Sequence, residues 1–349
     1  MCEYKKKSWY ITLRRPTFIP PISINTYFNL IEAPFMHPTE SMITIFSYLC
    51  LTKYTFLILM RNIKLSFWVA LCAIASLLFV GCDNRTEVAK RLESVPNLVA
   101  YWDFADEDYL AAKGVATPTL RSEGDATPSL IDEGPLSGRS LRFDGNDYLY
   151  IPYAETGALN VKSGSVTVVA WVKWTAGQIG FVGGMWNEYE DGGKRQYGLF
   201  VSLPHYNGAN QVCGHISRTG KPTPPFPYSI DYSASKQQVP KGEWCAVAFT
   251  YDGEYIRSYF NGEFEAREEE LIAHTTGFEG YPEGLRQVKN PYYFPDGIGD
   301  NGSDFTVGAV FVNKRIGNFF NGNIGGLAVY DRALTDEEIR YVSWWNQGL

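Results

Sequence analysis

Cysteine is scarce in this chain, six in 349 residues, which excludes a small disulfide-stapled scaffold. Histidine is scarcer, at four. No His/Cys spacing of a zinc site, no Gly-rich phosphate loop and no Ser/His/Asp set is present. Positive charge is short as well: 31 Lys and Arg face 38 Asp and Glu, a net −7, and the longest basic run is Lys5-Lys6-Lys7. Without a basic stripe, nucleic acid is excluded as a partner. Gly (33) and Pro (19) are near ordinary usage, and 45% of residues are apolar. That excludes a disordered, collagenous or low-complexity protein.

What is present is unevenly spread. Residues 1–82 hold eight Lys/Arg and three acids, leaving 23 basic and 35 acidic residues for 83–349, a net −12. Met60-Arg61-Asn62-Ile63-Lys64 is a short cationic start. Leu65–Val80 follows without a charge (LSFWVALCAIASLLFV), then Gly81-Cys82 and the polar Asp83-Asn84-Arg85. This order of charge, apolar core and small residue before a Cys reads as a secretory signal. Its uncharged run of 16 residues falls short of the roughly 20 that span a bilayer. The stretch LLFVGC resembles a bacterial lipobox, which implies lipid on the Cys82 thiol and cleavage after Gly81. The expected division is therefore 1–59 as upstream sequence before a start at Met60, 60–81 as signal, and 82–96 as a polar tether. A membrane segment from Met42 to Met60 is the other reading of the upstream part, with Lys53 at its middle.

From Asn97 to Leu349 the pattern is strands and tight turns. Val166–Trp174 (VTVVAWVKW) is apolar on both faces, as in a central strand. Trp244–Tyr251 is a second such run. Asp252-Gly253 and Asn261-Gly262 are hairpin signals, and Asp144-Gly145 and Asn321-Gly322 read as turns in the same way. The clearest helix is terminal: Thr335-Asp-Glu-Glu338 is a capping-box pattern before Ile339–Trp345. The fold expected is all-β, a two-sheet antiparallel jelly-roll sandwich with a short C-terminal helix, in one domain over 97–349.

Four segments in order carry a family resemblance: LVAYWDF (98–104), LRFDGNDYLYIP (141–152), GEWCAVAFTYDGEYIRSYFNGE (242–263) and FNGNIGGLAVYDRALTDEEI (320–339). Together they resemble the laminin-G-like jelly roll of the concanavalin A-like lectin/glucanase superfamily. The resemblance implies two packed sheets, with ligands on a concave face or its rim loops. It also implies calcium as a recurring partner. Asp103 and Asp144-Gly145-Asn146-Asp147 offer oxygens, whereas Gly325-Gly326 stand where relatives carry an acid in the last strand.

The catalytic patterns of that superfamily are not found. Glycosidases need a Glu-x-Asp-x-x-Glu strand. Glu188-Tyr189-Glu190-Asp191 runs straight into Gly192-Gly193, and Glu263, Glu265 and Glu268–Glu270 read as a solvated face. Lyases of this shape pair Gln and His two apart, but Gln211 and His215 are four apart. Glycan binding has more support. Sugars are held by aromatic faces with polar side chains on their hydroxyls. Gly184–Pro240 reads as a long aromatic and polar insertion, and Thr275–Asp304 as a second, with Tyr281, Tyr292, Tyr293 and Phe294. In the first, Trp186, Tyr189 and Tyr206 are candidates to stack on sugar, with Tyr197 as a further ligand-binding candidate. Asn187, Glu188, Arg195, His205, His215 and Arg218 are candidates to bond it.

Cys213 and Cys245 are the pair available for one disulfide outside the cytoplasm, two buried free thiols being the other reading. The sequence thus points to a non-catalytic, glycan-binding lipoprotein of the cell envelope, on the outer membrane or cell surface. The alternatives are a polysaccharide lyase or glycoside hydrolase using His205, Tyr206 or His215, and a protein-binding or structural envelope module.

Overall fold

A computed structural model describes residues 87–106, 120–122, 127–188, 193–221, 231–268, 272–273, 286–312 and 315–345. The chain divides into compact units Met1–Ala73 and Ile74–Leu349, and every described residue belongs to the second. The signal, Cys82, Tyr189 and Tyr281 lie outside the described residues.

A helix, α1 (residues 87–94), comes first. The strands follow as β1 (Leu98–Trp102), β2 (Ser129–Ile131), β3 (Ser140–Asp144), β4 (Leu149–Ile151), β5 (Val166–Ala176), β6 (Gly180–Met185), β7 (Asn187–Glu188), β8 (Tyr197–Leu203), β9 (Gly208–Ile216) and β10 (Tyr232–Gln238). Then come β11 (Trp244–Tyr251), β12 (Tyr255–Phe260), β13 (Glu263–Phe264), β14 (Ile272–Ala273), β15 (Arg286–Gln287), β16 (Tyr292–Tyr293), β17 (Phe305–Val307), β18 (Val310–Val312), β19 (Arg315–Gly317) and β20 (Asn321–Tyr330). Helix α2 (Asp336–Val342) ends the described fold.

Two sheets make the sandwich. The larger runs β13-β12-β11-β5-β20-β3-β2, with β1 also on β20 and β16 also on β12. The smaller runs β10-β9-β8-β6-β17-β4. All their pairings are antiparallel. The expected all-β jelly-roll sandwich with a C-terminal helix is what the chain forms. β5 is central, as its composition predicts, because both its faces are covered. Val166, Val168, Ala170, Val172 and Trp174 enter the core between the sheets. Val169 and Trp171 face a second cluster outside the large sheet, with Val88 and Leu92 of α1 and Ile339 and Val342 of α2. The α2 capping box also forms: Thr335 accepts from the Glu338 amide and Glu338 accepts from the Thr335 amide.

Three expectations are corrected and one open alternative is decided. The supposed tether contains α1, whose Val88 and Leu92 are fully buried, so most of it is part of the folded body. Asn321-Gly322 opens β20 instead of turning, and the register shifts between the two residues. Gly322 has φ +136°, and a Cβ there would lie 2.1 Å from the Lys173 carbonyl oxygen, so the glycine serves a close backbone approach. Gly184–Pro240 is no insertion: it contains β8, β9 and β10, three of the six strands of the small sheet, and β7, which pairs with β18 instead. Cys213 and Cys245 are free thiols. β9 alternation sends Cys213 to the outer face of the small sheet, while Cys245 faces the core from the large one, so a disulfide is ruled out by direction.

Candidate functional site

The small sheet carries Phe181, Phe200 and Tyr232 on its outer face, beside Trp186. In β8, Tyr197, Leu199 and Val201 point into the core and Phe200 points out. In β9, Val212 and Ile216 point in and Cys213 points out. Register then aligns one row across the strands. Gly198 pairs with His215, and His215 with Tyr232. Gly198 has no side chain, and a Cβ there would lie 3.6 Å from the Trp186 ring. That space lets Trp186 and His215 meet over it, ring centroids 4.3 Å apart. Phe200 is edge-on to Trp186 at 5.8 Å.

Cations close both ends of the row. The Arg195 guanidinium lies 5.8 Å from the Trp186 ring. At the other end His215 is 5.5 Å from Tyr232, and Lys289 Nζ stands 3.2 Å from the Tyr232 centroid. Lys289 is fully buried, and among the described residues neither its Nζ nor His215 Nδ1 has a hydrogen-bond partner. Burial, then the charges of Arg195 and Lys289, hold the His215 imidazole far below its ordinary value, so it is neutral at pH 7. Burial likewise pulls the Lys289 ammonium well down. Glu188 accepts from Trp186 Nε1 at 3.1 Å, and burial raises its carboxyl against the opposing pull of Arg195.

An exposed polar rim joins this row at the Arg195 end. Arg195 Nη1 donates to the Gly220 carbonyl at 3.2 Å, and Asn301 Nδ2 donates to the Arg195 carbonyl. The neighbouring residue, Asp300, collects Tyr153 Oη (2.8 Å), Asn160 Nδ2 (2.9 Å) and Lys162 Nζ. The Lys162 bond, with those from Asn160 and Tyr153, holds the Asp300 carboxyl at about 2. Gln196 Nε2 donates to Asn160 Oδ1 at 2.9 Å, tying the rim to the strand that bears the row. Arg218 is exposed and donates from Nη1 to the Ile298 carbonyl at 3.3 Å. Tyr153, 39% exposed, is the aromatic face this rim offers to solvent.

The candidates from sequence therefore separate. Trp186, Asn187, Glu188, Arg195, His215 and Arg218 gather at this end of the sheet. Trp186 and His215 are buried, so neither presents a free face as expected. Tyr197 is corrected outright: it is a core residue whose hydroxyl donates to the Leu159 carbonyl at 2.8 Å between the sheets. His205 and the half-buried Tyr206 lie on the β8–β9 hairpin, at the far end of those strands. In the second expected insertion Tyr292 and Phe294 are core residues too. Reading the sequence alone missed Tyr153, Asn160, Lys162, Tyr232, Lys289 and Asp300. Alternation of Tyr232 and Ala234 within YSASKQQ marks the third from last; nothing local marks Lys289 or the rim.

The calcium candidates serve the backbone. Asp147 accepts the Asp144 amide at 2.9 Å, Arg142 bonds Asp144, and Asp103 accepts the Ala105 amide. Among the described residues no three His, Cys, Asp or Glu side chains group to hold a metal.

Residues 143–282, about two-fifths of the chain, match the family model of the concanavalin A-like lectin/glucanases superfamily. This matched stretch contains most of the small sheet and the row from Trp186 to Tyr232. Among solved structures, domain 4 of AbnA, a GH43 extracellular arabinanase of Geobacillus stearothermophilus in complex with arabinotriose, is 18% identical. That match covers 71% of this chain and 98% of that one, TM-score 0.45. The CBM40 of the Ruminococcus gnavus IT-sialidase, bound to α2,3-sialyllactose, is 17% identical over 59% of this chain and 96% of its own, TM-score 0.40. A Trypanosoma rangeli sialidase in complex with sialic acid is 13% identical, over 77% of this chain and 38% of its own, TM-score 0.41. No curated protein matches the sequence.

Proposed function

We propose that this chain is a non-catalytic, carbohydrate-binding lipoprotein of the bacterial envelope, held by lipid on Cys82. The observation that carries the binding role is the rim of exposed Tyr153, Lys162, Arg218 and Asp300 with the buried Asn160 behind them, backed by the buried cation–aromatic row. Sugar recognition needs a flat apolar face beside several donors and acceptors fixed in direction. Tyr153 supplies the face. Asp300 and Asn160 are held in place by three partners and by Gln196, so little side-chain entropy is lost on binding. Trp186 and His215 act as the support beneath, and their effect on affinity is indirect.

The test is binding to a broad polysaccharide panel by calorimetry, with reducing and unsaturated ends followed in parallel. Binding without new ends is expected, with Tyr153→Ala and Arg218→Ala each weakening it at least tenfold. Binding untouched by both variants, or none on a panel of neutral and acidic glycans, overturns the reading. Silence combined with capture of a sugar-independent protein partner would favour an interaction module.

One observation favours a lyase: His215 is neutral, as a general base must be, and sits against Tyr232. Against it, Tyr232 spends its hydroxyl on the Leu203 carbonyl at 3.0 Å and both rings are buried. New unsaturated ends, abolished in His215→Ala, would establish the enzyme.

A further inference from the structure

We propose that the face formed by Arg91, Tyr341 and Trp344 lies against the membrane that holds Cys82. The inference rests on the reading of Cys82 as the lipidated residue and adds how the domain is oriented.

Among the described residues three large hydrophobic side chains are exposed: Tyr153, Tyr341 and Trp344. Tyr153 belongs to the rim. The other two, 43% and 40% exposed, form one patch with Arg91. The Arg91 guanidinium lies 4.8 Å from the Tyr341 centroid and 4.3 Å from that of Trp344. Its Nη1 also donates to the Tyr341 carbonyl at 3.5 Å. Trp and Tyr favour the headgroup layer, where an apolar ring and a polar edge are both satisfied. A guanidinium beside them can reach lipid phosphate.

Chain length says what covers the patch. Cys82 precedes the first described residue of α1, Glu87, by five positions. Five extended residues reach about 18 Å at most. Arg91 is one turn further on, about 6 Å. The helix cannot swing free to lengthen this leash. Val88 and Leu92 are fully buried, and Tyr330 donates its hydroxyl to the Leu92 carbonyl at 2.9 Å. A domain of about 253 residues has a radius of gyration near 18 Å. A leash no longer than that radius keeps the side bearing α1 towards the bilayer, and Trp344 and Tyr341 are on that side.

The experiment uses the full chain expressed in a bacterial host, purified in detergent and reconstituted into vesicles. These are made of phosphatidylethanolamine and phosphatidylglycerol with acyl-brominated phosphatidylcholine. Mass spectrometry of the N-terminal peptide first reads the acyl groups on Cys82, with Cys82→Ala as control. Tryptophan quenching by the brominated lipid then reads the patch. The expected result is acylated Cys82 and quenching whose amplitude falls at least twofold in Trp344→Phe. Acylated Cys82 with no quenching, or with quenching unchanged in Trp344→Phe, overturns the orientation and leaves the anchor standing. An unmodified Cys82 overturns both.

Discussion

Lys289 and His215 are buried bases with unsatisfied nitrogens, and their titration has a definite sign. Each has a folded-state value pulled below its ordinary one, 10.5 and 6.5. The unfolded chain therefore binds protons that the folded chain refuses, and stability rises with pH wherever that holds. The His215 contribution is present above about pH 6.5 and is lost as pH falls below it. The Lys289 contribution works over the wider range below 10.5. Urea midpoints are accordingly expected to climb from pH 5 to pH 9. Lys289→Met removes a buried amine with no hydrogen-bond partner at similar volume. It is expected to leave the midpoint at pH 7 equal or higher and to flatten the climb above pH 7. A Lys289→Met protein that loses more than about 2 kcal/mol would instead show that the cation–π contact with Tyr232 outweighs the cost of burial.

At the scale of elements, α1 is the surprise. Its sequence, polar and charged on most positions, reads as a tether because Val88 and Leu92, with Val95 just past its end, are its few large apolar points. Those positions are four and three apart, enough for one narrow stripe, and the outer face of the large sheet supplies what the stripe needs. Truncation of a fully buried leucine there is expected to cost the whole domain about 2–5 kcal/mol, so Leu92→Ala should lower the urea midpoint markedly. A loose tether would show no change. β5, the two hairpin turns after β11 and the α2 capping box were legible, because alternation, Asn-Gly chemistry and caps are local signals. The small sheet was not. Its strands mix glycine, polar and aromatic residues, and their outward side chains are buried by cross-strand neighbours that sequence does not align. Tyr197 and Trp186 look alike on paper; register alone sends one into the core and the other to the outer row. The rim is less legible still, since Tyr153 and Asn160 come from the β4–β5 connection, Arg218 from that after β9 and Asp300 from that before β17.

At the scale of the whole molecule, the two outer faces are unlike. Both helices cover the large sheet, and the row of Trp186, His215 and Tyr232 lies on the small one, with the core between them. On the proposed lipid anchor at Cys82, behind the helices, every copy on a membrane would show the same side outward. Such a surface would act as a two-dimensional brush of identical receptors. A repeating polymer that touches several copies at once meets each further copy at high effective concentration, so its hold grows without any new contact. Polysaccharide retention by protein-coated vesicles is therefore expected to exceed that of the same protein free in solution by at least a hundredfold, while a short oligosaccharide gains nothing. The architecture would let a weak single site, unremarkable in a calorimeter, serve as strong capture at a cell surface.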